Sequence, residues 1–265
     1  MAKLRVATAQ FPVAASIARN LRYMADLICQ AKGQKADVVH FPETCLGGYA
    51  GCEFKSWDGY DWDELQAADD ELQRLAGKLR IALVYGTNHR ISAGDVRNAL
   101  FYVATAGQRE GRYDKRFCTT GDLEYYRAGQ RFVTFELKGF TCGLLICHDM
   151  RYPELYRAYK KRGVQVLFQS FYNARGQGPN IHTEIVRPSL QTHAAENYFY
   201  ISAPNASGHY QSWPSTFVLP DGRIGASCRQ HRAGLVVNEI DAWDKFYDAS
   251  AAFRARAMRG VLYSG

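Results

Sequence analysis

The chain has 265 residues, of which 47% are hydrophobic and 22% charged, and its formal net charge is +7. That is an ordinary globular composition with enough apolar material for a sizeable core. The basic residues are scattered, and the densest run, Lys160-Lys161-Arg162, reads as a solvated helix end complementing the helix dipole, not as a nucleic-acid-binding stripe.

Seven cysteines, at 29, 45, 52, 118, 142, 147 and 228, form no CxxC pair. An odd number in a chain of this length argues for reduced thiols in a cytoplasmic protein rather than a disulfide scaffold. No run of 18 apolar residues occurs, so no membrane-spanning helix is expected. The N-terminus reads as a first strand rather than a signal peptide, because Thr8, Gln10 and Pro12 interrupt its apolar stretch. Without a Pro/Gly/Ser-rich linker, low-complexity tract or repeat, residues 1–265 are expected to form a single domain with 242–265 as its C-terminal tail.

Leu4–Gln10 is predicted as a strand. Ile17, Leu21, Met24, Ile28 and Ala31 then recur at helical spacing, with Ser16 as N-cap and Gly33 as stop. Asp37–Phe41 is a short buried strand ended by Pro42. Leu65, Leu72, Leu75 and Leu79 mark a second helix, and Ile81–Gly86 the next strand. From residue 98 hairpins take over: Asn98–Thr105, Gln108–Tyr113, Phe132–Leu137 and Phe140–Ile146 read as strands, with Ala106-Gly107 and Lys138-Gly139 as turn signals. Pro153–Lys161 is predicted as a helix, Val164–Gln169 as a strand, Pro188–Asn197 as a helix and Tyr198–Ala203 as a strand. Ser215–Leu219 and Arg223–Ser227 flank a Pro220-Asp221-Gly222 turn, and Gly234–Glu239 closes the sheet region. Helices alternating with strands in part of the chain, and hairpins elsewhere, argue for an α/β protein with mixed sheets covered by helices.

Three segments carry the chemistry. Cys147 follows the apolar run Gly143–Ile146 and precedes Pro153, which can open a helix, so it sits at a strand-to-helix junction suited to exposing a nucleophile. The polar His148-Asp149 pair after it argues against a packed interior. Neighbouring side chains on an extended chain point to opposite faces. The His148 ring is therefore expected to turn away from the thiol, leaving its backbone N–H to serve an oxyanion. Glu43 lies just past a buried strand, where a carboxylate beside apolar surroundings suits proton shuttling; a helix cap or loop salt bridge is an equal reading. Lys115, also past a strand, reads on its own as a surface lysine. His182 and Glu184 are too closely spaced to share a helical face as metal ligands.

Taken together, Phe41-Pro42-Glu43, Tyr113-Asp114-Lys115 and Cys147-His-Asp-Met-Arg-Tyr-Pro-Glu154 resemble the nitrilase, or carbon–nitrogen hydrolase, superfamily. Gly47-Gly48-Tyr49, Ala195-Glu196-Asn197, Asn205 with Gly208, and Pro220-Asp221-Gly222 fit the same pattern, which covers nearly the whole chain. The resemblance implies a four-layer α-β-β-α sandwich with a catalytic trio of Glu43, Lys115 and Cys147, supported by the His148 N–H. It implies a thioester mechanism without metal or organic cofactor, acting on a small linear amide. A further acid is implied before an aromatic-x-x-Gly segment: Glu124, or alternatively Asp122, orienting Lys115 or binding substrate. Cys147-His-Asp is closer to amidase and carbamoylase branches than to the Cys-Trp-Glu of true nitrilases. A lone Arg151 is unlike the paired arginines of carbamoylase-like members, and its expected partner is Glu154. Tyr49, Phe171, Tyr172 and Asn173 are candidates to line the substrate pocket. A homodimer or higher homo-oligomer is the family expectation, with Trp243, Phe246, Tyr247 and Phe253 of the tail at the interface or packed on their own subunit. An acyltransferase or a non-catalytic scaffold of the same fold are the competing classes.

Overall fold

Alternating apolar residues along the strands decide the architecture. In the computed structural model, which describes residues 2–173 and 180–264, the first sheet has the order β12-β1-β2-β3-β4-β5. Its strands are β1 (Lys3–Gln10), β2 (Val38–His40), β3 (Ala82–Ser92), β4 (Asp95–Val103), β5 (Arg109–Asp114) and β12 (Gly234–Asp241). The second sheet runs β11-β10-β9-β8-β7-β6, from β6 (Thr134–Leu137), β7 (Phe140–Ile146), β8 (Val166–Ser170), β9 (Tyr200–Ala203), β10 (Thr216–Val218) and β11 (Ile224–Ser227). Three central strands in each sheet are parallel, β1-β2-β3 and β7-β8-β9, and the flanking strands are antiparallel.

Odd and even positions bury into different cores, as the two-residue period of a strand requires. Leu4, Val6, Val38, Ala82, Val84, Leu100 and Tyr102 face the second sheet and meet Leu144, Phe168 and Phe217. Their neighbours Ala7, Ala9, Val39, Leu83, Tyr85 and Phe101 face the other way, onto Met24, Leu27 and Ile28 of α1 (Ile17–Gly33) and Leu65, Leu72 and Ala76 of α2 (Trp62–Leu79). On the far side, α3 (Pro153–Lys161) and α4 (Ile181–Asn197) cover the second sheet through Leu155, Tyr159, Val186 and Leu190. The result is the expected α-β-β-α sandwich.

Ser16 caps α1, accepting from the Arg19 N–H at 3.2 Å, as its sequence suggested. Two elements differ from expectation. β3 and β4 extend into a long hairpin, register-paired from Leu83↔Val103 to Ser92↔Asp95; its exposed tip mixes Arg90 and Ser92 with Ile91 and Ala93, so no buried apolar run marks it as strand. Helix α4 starts at Ile181 and continues through Pro188. Glu184 and Pro188 are both solvent-exposed, so the carbonyl freed by the missing N–H meets water and the helix survives the ring. In the tail, Phe246 packs against the core and Arg254 of α5 (Arg254–Met258) bonds to the Glu196 carbonyl at 2.8 Å, whereas Trp243, Tyr247 and Phe253 are exposed.

The two sheets are pinned by a polar bridge in their shared core. His40 of β2 meets Ser202 of β9 through Nδ1 and Ser170 of β8 through Nε2, each at 2.9 Å, and Thr8 of β1 also bonds to Ser202, at 2.8 Å. Burial holds His40 well below the usual histidine range, so it bridges as a neutral ring. Beyond His40, Gly86 lets the chain after β2 approach β3: a Cβ there would lie 2.2 Å from the Thr44 nitrogen and 2.5 Å from the Pro42 oxygen. Those atoms are backbone flanking Glu43 and cannot swing aside. Gly86→Ala should therefore cost about 1–3 kcal/mol by overpacking, read by urea denaturation, and should displace Glu43.

Candidate active site

Each of the trio leaves a strand at the same end of the sandwich, where open α/β sheets place their ligand sites. Glu43 follows β2; its N–H bonds across the sheets to the Phe171 carbonyl at 3.2 Å. Lys115 follows β5 and is pinned on both sides of its peptide, its N–H donating to the Asn98 carbonyl and its carbonyl accepting from Gly129, each at 2.8 Å. Cys147 follows β7 in a left-handed conformation, φ 39°, at the start of a short turn over Cys147–Arg151.

All three are buried: Glu43 is 0%, Lys115 1% and Cys147 8% exposed. The Lys115 ammonium lies 2.8 Å from Glu43 Oε1 and 2.8 Å from Asp122 Oδ2, and donates to the Tyr49 hydroxyl at 3.2 Å. Burial alone would pull Lys115 down, but Glu43, Tyr49, Cys147 and Asp122 around it hold it above its ordinary range. Cys147 also helps to raise both Lys115 and Tyr49. Asp122 is pushed up by burial but held below the usual carboxylate range by Lys115. Glu43 Oε1 also accepts from Asn98 Nδ2 at 2.7 Å, and Oε2 from the Tyr172 N–H at 3.0 Å. Asp122 Oδ1 accepts from the Tyr49 hydroxyl at 2.6 Å and Oδ2 from the Thr119 N–H at 2.8 Å.

The structure thus decides between the two acids left open by the sequence. Asp122 sits on Lys115, whereas Glu124, at the far end of the same short turn (Asp122–Glu124), is exposed and faces a separate cavity beside Trp57 and Tyr125. The turn places residues two apart on different sides, and Tyr49 and Thr119 hold Asp122 inward. Tyr49 and Tyr172 serve this network: the Tyr172 hydroxyl donates to Glu53, itself bonded to the Tyr49 N–H at 3.0 Å. Phe171 and Asn173 instead line the cleft that reaches Cys147. This cleft, of about 140 Å³, is completed by Thr119, His148, Met150, Arg151, His182 and Val186. Asn173 is fixed through its N–H to Asn205 Oδ1 and Gln211 Oε1, at 3.1 and 2.8 Å. Its own buried Oδ1 has no hydrogen-bond partner among the described residues.

Some residues stand elsewhere than expected. Asp149 is fully buried, so the polar pair after Cys147 does not mark an open surface; hydrogen bonds satisfy its carboxylate inside. Among the described residues no ion pair joins Arg151 to Glu154; Arg151 is exposed at the cleft. The His148 ring packs edge-on against Tyr152, centroids 5.9 Å apart. Asn98, a ligand of Glu43, was not singled out by the sequence; its place in an apolar strand, Asp95–Val103, is the signal that could have found it. Among the described residues, no group of three or more His, Cys, Asp or Glu could hold a metal ion. A larger cavity of about 730 Å³ on the outer face of β4 and β5 contains Arg97, Arg109, Arg112 and Arg131. The first three face Asp95, Asp69 and Asp114 at 2.7, 3.3 and 3.2 Å, so it gathers little unopposed charge.

Glu43 and Lys115 are thus ion-paired in the interior, and Cys147 stands on a turn with a positive φ. The carbon–nitrogen hydrolase family model matches residues 5–244. The chain belongs to this family. It is 27% identical over 223 residues to 2-oxoglutaramate amidase of Bacillus subtilis (strain 168), covering 82% of this chain and 83% of that protein. It is 26% identical over 256 residues to the Homo sapiens omega-amidase NIT2, covering 91% and 90%. Its fold matches that of an amidase from Nesterenkonia sp. with a TM-score of 0.81 at 22% identity, over 98% of this chain and 96% of that one.

The contrast between the two acids is testable. Asp122→Asn should lower kcat by ~10–100-fold through a misplaced Lys115, whereas Glu124→Gln, on the surface, should leave steady-state kinetics within about twofold.

Proposed function

We propose that this carbon–nitrogen hydrolase cleaves a small linear amide through a thioester on Cys147. The observation that carries the reading is the buried Glu43–Lys115–Asp122 cluster together with a cysteine that lines a cleft. Glu43 takes the thiol proton and the sulfur attacks the amide carbon. The oxyanion is met by Lys115 Nζ and the His148 N–H. As it collapses, the C–N bond breaks and Glu43 returns its proton to the leaving nitrogen. A water then gives Glu43 a proton and adds to the thioester; the C–S bond breaks, the acid leaves, and the thiol is restored.

Proton transfer from thiol to Glu43 moves a negative charge within the cluster instead of creating one. Lys115 stays protonated throughout and faces first the carboxylate, then the sulfur and oxyanion. Phe171 supplies an apolar wall, and the unpartnered Asn173 Oδ1 offers an acceptor to the substrate N–H. In one mutant of the amidase from Nesterenkonia sp. AN1 the acetamide moiety of fluoroacetamide adds covalently at the active-site cysteine, and another mutant binds butyramide; both are small amides that suit a cleft of this size. Arg151 at the cleft favours an amide that also carries a carboxylate, in keeping with the named activities of the 2-oxoglutaramate amidase and omega-amidase relatives. Free thiols at Cys29, Cys45, Cys118, Cys142 and Cys228 fit a reducing, cytoplasmic setting, and exposed Trp243, Tyr247 and Phe253 fit pairing of two copies.

Ammonia release from simple amides, ω-amides of dicarboxylic acids, carbamoyl compounds and nitriles tests the reading. Amides should be turned over, with ω-amides preferred, and Cys147→Ala should lose at least ~10³-fold in kcat. Release from nitriles or carbamoyl compounds alone would overturn it.

A further inference from the structure

Cys147 leaves the second sheet and Lys115 leaves the far edge of the first, so no shared strand ladder sets their separation. One side chain spans the gap. Asp149 Oδ2 accepts from the Ile146 N–H at 3.0 Å and from the Tyr113 hydroxyl at 2.7 Å. Its Oδ1 accepts from the Phe117 N–H at 2.9 Å. Ile146 immediately precedes Cys147, and Tyr113 and Phe117 stand two residues to either side of Lys115. A single carboxylate thus brackets both members of the trio that must converge on the oxyanion.

We propose that Asp149 is a positioning residue, tying the Cys147 turn to the Lys115 segment so that sulfur and ammonium address the same carbonyl. The inference rests on the catalytic reading of Cys147 and Lys115. Asp149 does not line the cleft and acts on the reaction only through those two. The chemistry of its partners favours an ionised carboxylate. All three can donate, the two backbone N–H groups can do nothing else, and an asparagine would turn its NH2 toward one of them. The bond to Ile146 also closes the turn that holds Cys147 at its positive φ, a conformation a non-glycine residue keeps only when its surroundings impose it.

The charge is not there for stability. Burial pushes the Asp149 carboxyl up to about 6, against the lowering effect of its hydrogen bonds and of Lys115. A carboxyl raised on folding binds its proton more tightly in the folded state, so its contribution to stability falls as pH rises through about 6. The titratable groups facing it are Tyr113 of β5 and Lys115 after it, Cys118 just beyond, and Tyr156 and Tyr159 of α3. The tyrosines are raised by burial and stay neutral, as does Cys118, pushed up to about 12.

The test uses the full chain with Tyr113→Phe and Asp149→Asn, measuring kcat, KM and the pH dependence of kcat on an amide the wild type hydrolyses. Wild-type kcat should fall on the acid side with a midpoint near the Asp149 value of about 6. Tyr113→Phe keeps the ring but removes a donor that favours the ionised carboxyl. It should lower kcat by ~10-fold with KM within about twofold, and move the acid midpoint upward. Asp149→Asn should lower kcat by ~100-fold or more and remove that limb; should it fail to fold, Tyr113→Phe decides alone. A folded Tyr113→Phe enzyme with wild-type kcat and an unmoved acid limb overturns the proposal and leaves Asp149 a structural group. If the wild type hydrolyses no amide, the catalytic reading is what fails. Iodoacetamide alkylation of Cys147 in the same variants then tests the positioning by itself: a slower rate in Tyr113→Phe supports it and an equal rate overturns it.

Discussion

Lys115 carries its charge at a depth where 1% of its surface meets solvent, 2.8 Å from each of two carboxylates. An ammonium taken out of water loses several kcal/mol of hydration, which is recovered only if its partners are close and themselves fully bonded. Here they are. One cation faces two anions, and the surplus negative charge is met by donors from Asn98, Tyr49, Thr119 and the Tyr172 N–H. Removing Lys115 would leave two like charges buried together. The segments around residues 43, 49, 98, 115, 122 and 172 are consequently held to one another by electrostatics that none could sustain alone.

That cluster exists because two sheets meet face to face. β2 delivers Glu43 and β8 delivers Tyr172, and the two backbones touch through the Glu43–Phe171 bond. Deeper in, the neutral His40 bridge ties the same two strands. A buried imidazole with both nitrogens bonded fixes relative placement in a way that interchangeable apolar contacts do not. Gly86 completes the arrangement from the other side, allowing the chain that carries Glu43 to lie directly on β3.

The cleft itself is a product of chain ends rather than of any one element. Thr119 comes from the loop after Lys115, Cys147 to Arg151 from the turn after β7, Phe171 and Asn173 from the end of β8, and His182 and Val186 from α4. Such convergence suits a site whose chemistry is shared by a family while its substrate contacts vary with the loops. Tyr49 and Tyr172 hold the acids, whereas Phe171 and Asn173 line the cleft.

Much of this was legible in the chain. Apolar periodicity located α1 with its Ser16 cap, most strands, and α3 from Pro153 to Lys161, because burial of one face is a local demand written residue by residue. The motifs around Glu43, Lys115 and Cys147 marked the trio. What the sequence by itself determined was therefore most of the elements and which residues to look for at a candidate site. Tertiary structure alone decided which acid reaches Lys115, since Asp122 and Glu124 lie two residues apart and differ only in what packs against them. It also decided that Asp149 lies inside rather than at a surface, that Arg151 opens onto the cleft rather than onto Glu154, and that α4 runs through Pro188. Each of these depends on groups distant in sequence, or on whether solvent reaches a carbonyl, and no local pattern encodes the neighbour that a second sheet will bring.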